Sequence, residues 1–187
     1  MKESFLTYFS RTTCKIRLVD KDNSWFMKLI AFCLTILNAL KITNIKDDPD
    51  TERDESFMGG YGTTIGTTIY DHPGWDWGME PSPFMVHELA HAVQSHGPLM
   101  ALRYVFNPNW RMFYESEAVQ AEILCFPERA RHEKWMKRRI DQFKKYGVSS
   151  AVLILQTLEK RIEEAEQGNP RTSAQVVWQA YSAWKQL

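Results

Sequence analysis

The chain is poor in cysteine, carries no net charge and lacks an apolar run long enough to cross a bilayer. Cys14, Cys33 and Cys125 are its three cysteines, an odd number with no CxxC pair. A disulfide framework is therefore not expected, and a reducing, cytoplasmic compartment is. Lys plus Arg and Asp plus Glu each total 23, a balance that gives no global pull toward nucleic acid or anionic lipid. In the apolar stretch WFMKLIAFCLTILNAL, residues 25–40, the uninterrupted part begins at Leu29 and still contains Thr35 and Asn38. It falls short of the roughly 18 to 20 residues that a membrane span needs. A signal peptide fits poorly as well, because its positive leader would be overlong and no small-x-small cleavage site follows. On a helical wheel Ser24, Lys28, Thr35 and Asn38 form one narrow polar stripe, so this segment is expected to be a nearly buried core helix, with membrane contact as the alternative.

Internal repeats are absent too, and 187 residues with 44% hydrophobic and 25% charged content suit one soluble core. The acidic run KDDPDTERDES, residues 46–56, is expected to be a solvated loop; it lacks the glycine and closing glutamate of an EF-hand. From Thr63 to Tyr70 the β-branched residues of TTIGTTIY read as one strand, with Gly66 permitting a close backbone approach. Ser82 then stands as a helix N-cap with Pro83 in the first turn, and Gly97 is placed to end that helix. A second helix is expected over about 110–126, closed by Pro127. Three more follow over about 128–146, 149–167 and 172–186. The segment 129–147 holds eight Lys or Arg against two acids, but without the aromatic or glycine signatures of a nucleic-acid module it reads as a solvated helix face. Val177, Trp178, Tyr181 and Trp184 recur at helical spacing and read as core.

The chemistry concentrates in FMVHELAHAVQSHG, residues 84–97. Histidines at i and i+4 project from one side of a helix and can reach a single ion. His87, His91 and Gln94 share one arc, while Met85, Val86, Leu89 and Val93 take the opposite one. Glu88 lies beside the metal arc, displaced from the ion but within reach of a water there, the position of a general base. A catalytic zinc needs a third protein ligand, and YESEAVQAEILCFP, residues 114–127, offers three glutamates. Arg111, Glu115 and Glu122 cluster within about 40° on the wheel and read as a solvated stripe. Glu117 points among Phe113, Ala121 and Leu124, where a carboxylate requires a partner, so Glu117 is the expected ligand.

His87, Glu88, His91 and Glu117 followed by Ala118 resemble the gluzincin group of zinc metallopeptidases, whose thermolysin-type members carry the third ligand in a Glu-Ala pair. The short span is most similar to minimal gluzincins of the ImmA/IrrE type, and TTIGTTIY, HELAHAVQ and YESEA together resemble small phage and bacterial proteins of this kind. The resemblance covers about residues 60–127. It implies an edge strand, residues 63–70, that pairs with an extended peptide or protein substrate, which makes Thr64, Gly66 and Thr68 candidate substrate-binding residues. Ala121 occupies the position where thermolysin-like proteins place an acid that orients a histidine. For transition-state stabilisation Tyr70, His72, His96 and Tyr114 are all open.

The expected protein is thus an α+β, mostly helical minimal zincin with a small sheet packed on the active-site helix. Its core spans residues 1–127 and a helical extension spans 128–187. Two alternatives accompany the peptidase reading. One is an inactive, zinc-stabilised scaffold that binds a partner protein; the other is an effector peptidase with one dedicated target.

Overall fold

The computed structural model describes residues 3–40, 62–71, 77, 79–94, 103–130, 132–145, 147–148 and 150–187. They form a mostly helical α+β fold with a small mixed sheet. In chain order the elements are α1 (Phe5–Thr12), β1 (Arg17–Asp20), α2 (Trp25–Ala39), β2 (Thr63–Ile65), β3 (Thr68–Asp71), α3 (Pro83–Gln94), α4 (Pro108–Cys125), α5 (Pro127–Ala130), α6 (Glu133–Lys145), α7 (Ala151–Glu166) and α8 (Thr172–Lys185). A single helical turn over residues 103–106 precedes α4.

The segment read as one strand is a hairpin. Gly66 adopts a positive φ of 64° in a two-residue connection, the backbone that a tight hairpin turn demands. Thr64 pairs with Ile69 and Ile65 with Thr68, while β1 runs parallel to the other side of β3. Thr68 therefore lies on the central strand, hydrogen-bonded on both sides. Of the three residues expected along one edge, Thr64 alone remains on an edge strand.

Strand parity then assigns the two faces. Thr64 and Ile69 share the face that meets α3, and Ile69 is fully buried there. Thr63 and Tyr70 share the other face. Tyr70 packs on Phe26 of α2, with ring centroids 6.1 Å apart, and the buried Lys21 donates to the Thr63 hydroxyl at 2.9 Å.

The expectation of a nearly buried α2 is overturned. Met27 and Leu34 are buried, but Trp25 (74% exposed), Leu29, Phe32, Ile36 and Leu40 line an open face among the described residues. Apolar content records that a face avoids water and says nothing of which neighbour covers it. No helix among the described residues is long and apolar enough to cross a membrane. The acidic run 46–56 lies outside the described residues.

The principal core is built from α1, β3, α3, α4 and α8. Phe5 and Phe9, one turn apart on α1, pack with Val86 and Leu89 of α3, Ala118 of α4, and Val177 and Trp184 of α8. Trp184 also ties the two chain ends together, its indole N–H donating to the Glu3 carbonyl at 2.9 Å. A second cluster joins Val119 and Ile123 of α4 to Phe143 of α6 and to Ile154 and Leu158 of α7. α4 therefore packs along most of its length on two sides, which is why so many of its polar residues are buried.

Candidate metal centre

α3 starts where its sequence signals place it. The Ser82 hydroxyl accepts from the Met85 N–H at 3.1 Å, capping an orphan donor of the first turn. The apolar arc of α3 enters the core, and the opposite arc carries His87 and His91 to α4. Glu88, His87 and His91 are all buried.

α4 departs from the expected assignment. Arg111, Glu115 and Glu122, read as a solvated stripe, are 1%, 3% and 2% exposed. Glu115 and Glu122 of that stripe meet the histidines. Glu115 sets Oε2 at 3.3 Å from His87 Nε2 and Oε1 at 3.3 Å from His91 Nε2, so His87, His91 and Glu115 are the group that could hold a metal. Glu117 is not among them. Its Oε2 accepts from the Ser173 hydroxyl of α8 at 2.8 Å and from Gln94 Nε2 at 3.1 Å. The partners that Glu117 requires on its apolar face are the Ser173 hydroxyl and the Gln94 amide.

The hydrogen-bond partners define the imidazole tautomers. His87 Nδ1 lies 2.7 Å from Glu122 Oε1, and a carboxylate can only accept, so this nitrogen carries hydrogen. Gln94 Nε2 donates to the Tyr114 carbonyl at 2.9 Å and to Glu117, which turns Gln94 Oε1 to His91 Nδ1 at 2.7 Å. His91 Nδ1 therefore also donates. In neutral imidazoles both Nε2 atoms then present lone pairs, and they face each other at 3.2 Å with the Glu115 carboxylate beside them. Positive charge, as a proton on Nε2 or a bound cation, relieves that opposition of lone pairs.

The electrostatics favour positive charge at the imidazoles. Burial would depress the His87 pKa, but hydrogen bonds to Glu115 and Glu122 outweigh it and push the value up to about 10. Burial likewise opposes charge on His91, and Glu115 overrides it in the upward direction. Burial alone would raise Glu115, whereas the two histidines hold it well below the usual carboxylate range. The site draws in positive charge.

The remaining candidates separate clearly. Glu88 stands beside the cluster, and its Oε2 accepts from the Thr64 hydroxyl at 2.6 Å. Gly62 lies against the same carboxylate: a Cβ there would come within 2.5 Å of Phe84 Cζ and 2.9 Å of Glu88 Oε1. Gly66 and Thr68 belong to the hairpin turn and the central strand. Tyr70 lies on the sheet face turned away from α3, as strand alternation requires. The Tyr114 ring stacks on Trp110, with centroids 5.8 Å apart. His72 and His96 lie outside the described residues.

Three residues at the centre were not anticipated in these roles. Glu122 supplies the histidine-orienting acid that Ala121 cannot, and its place two turns beyond Glu115 on one stripe was the available signal. Arg139 of α6 pairs with Glu122 Oε2. The Tyr104 hydroxyl donates to Glu115 Oε1 at 2.5 Å. The spacing of Arg139 and Tyr104 along the chain carries no mark of either contact.

No protein-family model, curated protein or solved structure matches the chain.

Proposed function

We propose that the protein is a zinc-dependent metallopeptidase whose metal is held by His87, His91 and Glu115. The observation that carries this reading is the convergence of buried donor atoms: the two Nε2 atoms lie 3.2 Å apart, and the Glu115 carboxylate sets one oxygen 3.3 Å from each of them. Tetrahedral zinc, with bonds of about 2.0–2.1 Å, sets its ligand atoms roughly 3.3 Å apart, and three protein ligands leave one position for water or substrate.

Zinc bound there supplies Lewis acidity, which makes a water acidic and polarises a carbonyl. The chain's own residues do the rest. Glu88 accepts a proton from the attacking water and returns it to the leaving amine. Thr64 holds the Glu88 carboxylate on the side of β2, the edge strand next to which an extended peptide would lie. Glu122 and Gln94 fix the imidazoles with Nε2 inward. The free state of all three cysteines fits a reducing, cytoplasmic setting.

The test is metal analysis of protein purified without added zinc, combined with Glu88→Gln. A peptidase takes up one zinc per chain and loses turnover in that variant while keeping its metal. Zinc that stays below stoichiometric after titration overturns the reading. The burial of His87, His91, Glu88 and Glu115 favours one second reading, a zinc-stabilised scaffold. In that case Glu88→Gln leaves the protein's function intact and metal removal costs only stability.

A further inference from the structure

We infer that Arg139, carried by α6 some fifty residues beyond the histidine motif, is a positioning residue of the metal centre and acts on His87 through Glu122. This rests on the zinc reading above and extends it to a helix that the motif does not include.

The relay is continuous. Glu122 is 2% exposed, and both of its oxygens are engaged: Oε1 accepts from His87 Nδ1 at 2.7 Å, and Oε2 accepts from Arg139 Nη2. The guanidinium is itself fixed from within α6. Its Nη1 donates to Gln142 Oε1 at 2.5 Å, and its plane lies over the Trp135 ring, 5.7 Å from the centroid. Phe143, with Met136 and Ile140, seats the same helix on Val119 and Ile123 of α4. Docking of that apolar side is what delivers Arg139 to the centre.

The basic segment 129–147 thus contains two kinds of cation. Lys134, Lys137, Arg138 and Lys144 are exposed, as a solvated helix face should be, whereas Arg139 is turned inward. A guanidinium offers several donors in a fixed plane and can hold a carboxylate and a neighbouring amide together, which an ammonium cannot reproduce in the same geometry. Anchored at both oxygens, Glu122 has one orientation, and so does the imidazole that donates to it. His87 Nε2 is then held toward Glu115, which is the general use of an outer partner to a metal-ligating histidine.

The test compares zinc affinity, by competition with a chromophoric chelator, and the visible spectrum of the cobalt(II)-loaded protein in four full-length chains: wild type, Arg139→Ala, Glu122→Gln and the double variant. Each single variant is expected to weaken zinc about 10- to 100-fold and to alter the cobalt bands. The double variant should be no worse than either single one, because both break the same relay, and Arg139→Lys should restore affinity only in part. Unchanged affinity in the single variants overturns the inference, as do additive losses, which would mean that Arg139 acts through general packing. Should Arg139→Ala fail to fold, Glu122→Gln decides alone, since it preserves size and an acceptor for His87; a folded Glu122→Gln with wild-type affinity and spectrum refutes the relay. Failure of the wild type itself to bind metal refutes the zinc reading, a distinct result.

Discussion

Thr64 and Glu88, 24 residues apart in the chain, are joined by a hydroxyl-to-carboxylate hydrogen bond of 2.6 Å. The contact fastens the edge of the sheet to the proposed base. Thr64→Val keeps the shape and removes the donor, so zinc content should be unchanged while turnover falls about tenfold, the rate equivalent of about 1.4 kcal/mol. Steady-state kinetics beside metal analysis checks this. Equal turnover would show that Glu88 needs no support from β2.

Gly62 adds a steric version of the same experiment. The Cβ of Gly62→Ala would collide with Phe84 Cζ at 2.5 Å and Glu88 Oε1 at 2.9 Å. The expected result is a folded protein that binds zinc and has a larger activity loss than Thr64→Val, measured by circular dichroism, metal content and turnover together. Full activity would place the Glu88 carboxylate elsewhere in solution.

The two glutamates of YESEA should respond differently. Glu115→Gln removes the charge between the imidazoles and should abolish stoichiometric zinc binding. Glu117→Gln retains a side chain that can still accept from Ser173 and Gln94, so zinc should weaken by no more than about 10- to 100-fold. Isothermal titration of zinc into both apo variants separates them, and the reverse ranking would restore Glu117 as the ligand.

Acid should loosen the packing of α7 on α4 through Glu164. Burial would raise its pKa, but Arg161, then Arg171 and Gln120, hold it below its ordinary 4.5. The folded state therefore binds fewer protons than the unfolded one across that window. Stability from this contact is complete above about pH 4.5 and drains away as pH falls through the lower, folded value. Urea unfolding at pH 7 and near pH 4 should show a smaller acid loss in Glu164→Gln than in wild type. Identical pH dependences would remove Glu164 from the account.

Thiol reactivity should map the fold. Cys33 is exposed and Cys125 buried; burial, reinforced by the charge of Glu122, pushes the Cys125 pKa far up. Cys14, partly buried, is raised by burial as well. A disulfide reagent should modify Cys33 quickly, Cys14 slowly and Cys125 only on unfolding, because the thiolate is the reactive form. Rapid native labelling of Cys125 would contradict the packing of α4.

The elements easiest to read were those whose signals are local. Ser82 and Pro83 place the start of α3, the four-residue spacing puts both histidines on one side, and glycines 147 and 168, with φ of 82° and 70°, stand where helices end. The hairpin was harder because the alternation of TTIGTTIY continues through Gly66. One strand of eight residues and two short strands joined by a two-residue turn share that pattern, and the positive φ of Gly66 is what separates them. α1 and β1 gave no comparable signal: their short segments acquire meaning from Tyr181 and Trp184 on one side and β3 on the other.

Sequence alone determined that His87 and His91 share a face with Glu88 at its border, because helical geometry ties side-chain direction to spacing within one helix. Tertiary structure decided which carboxylate meets them. A wheel gives the angle of Glu115 relative to Glu117 but not what lies at that angle. The polar stripe of α4 is buried against the polar arc of α3, while Glu117 turns to α8. Whether a charged stripe meets water or two imidazoles depends on how separate helices pack, and that information is spread over the whole chain.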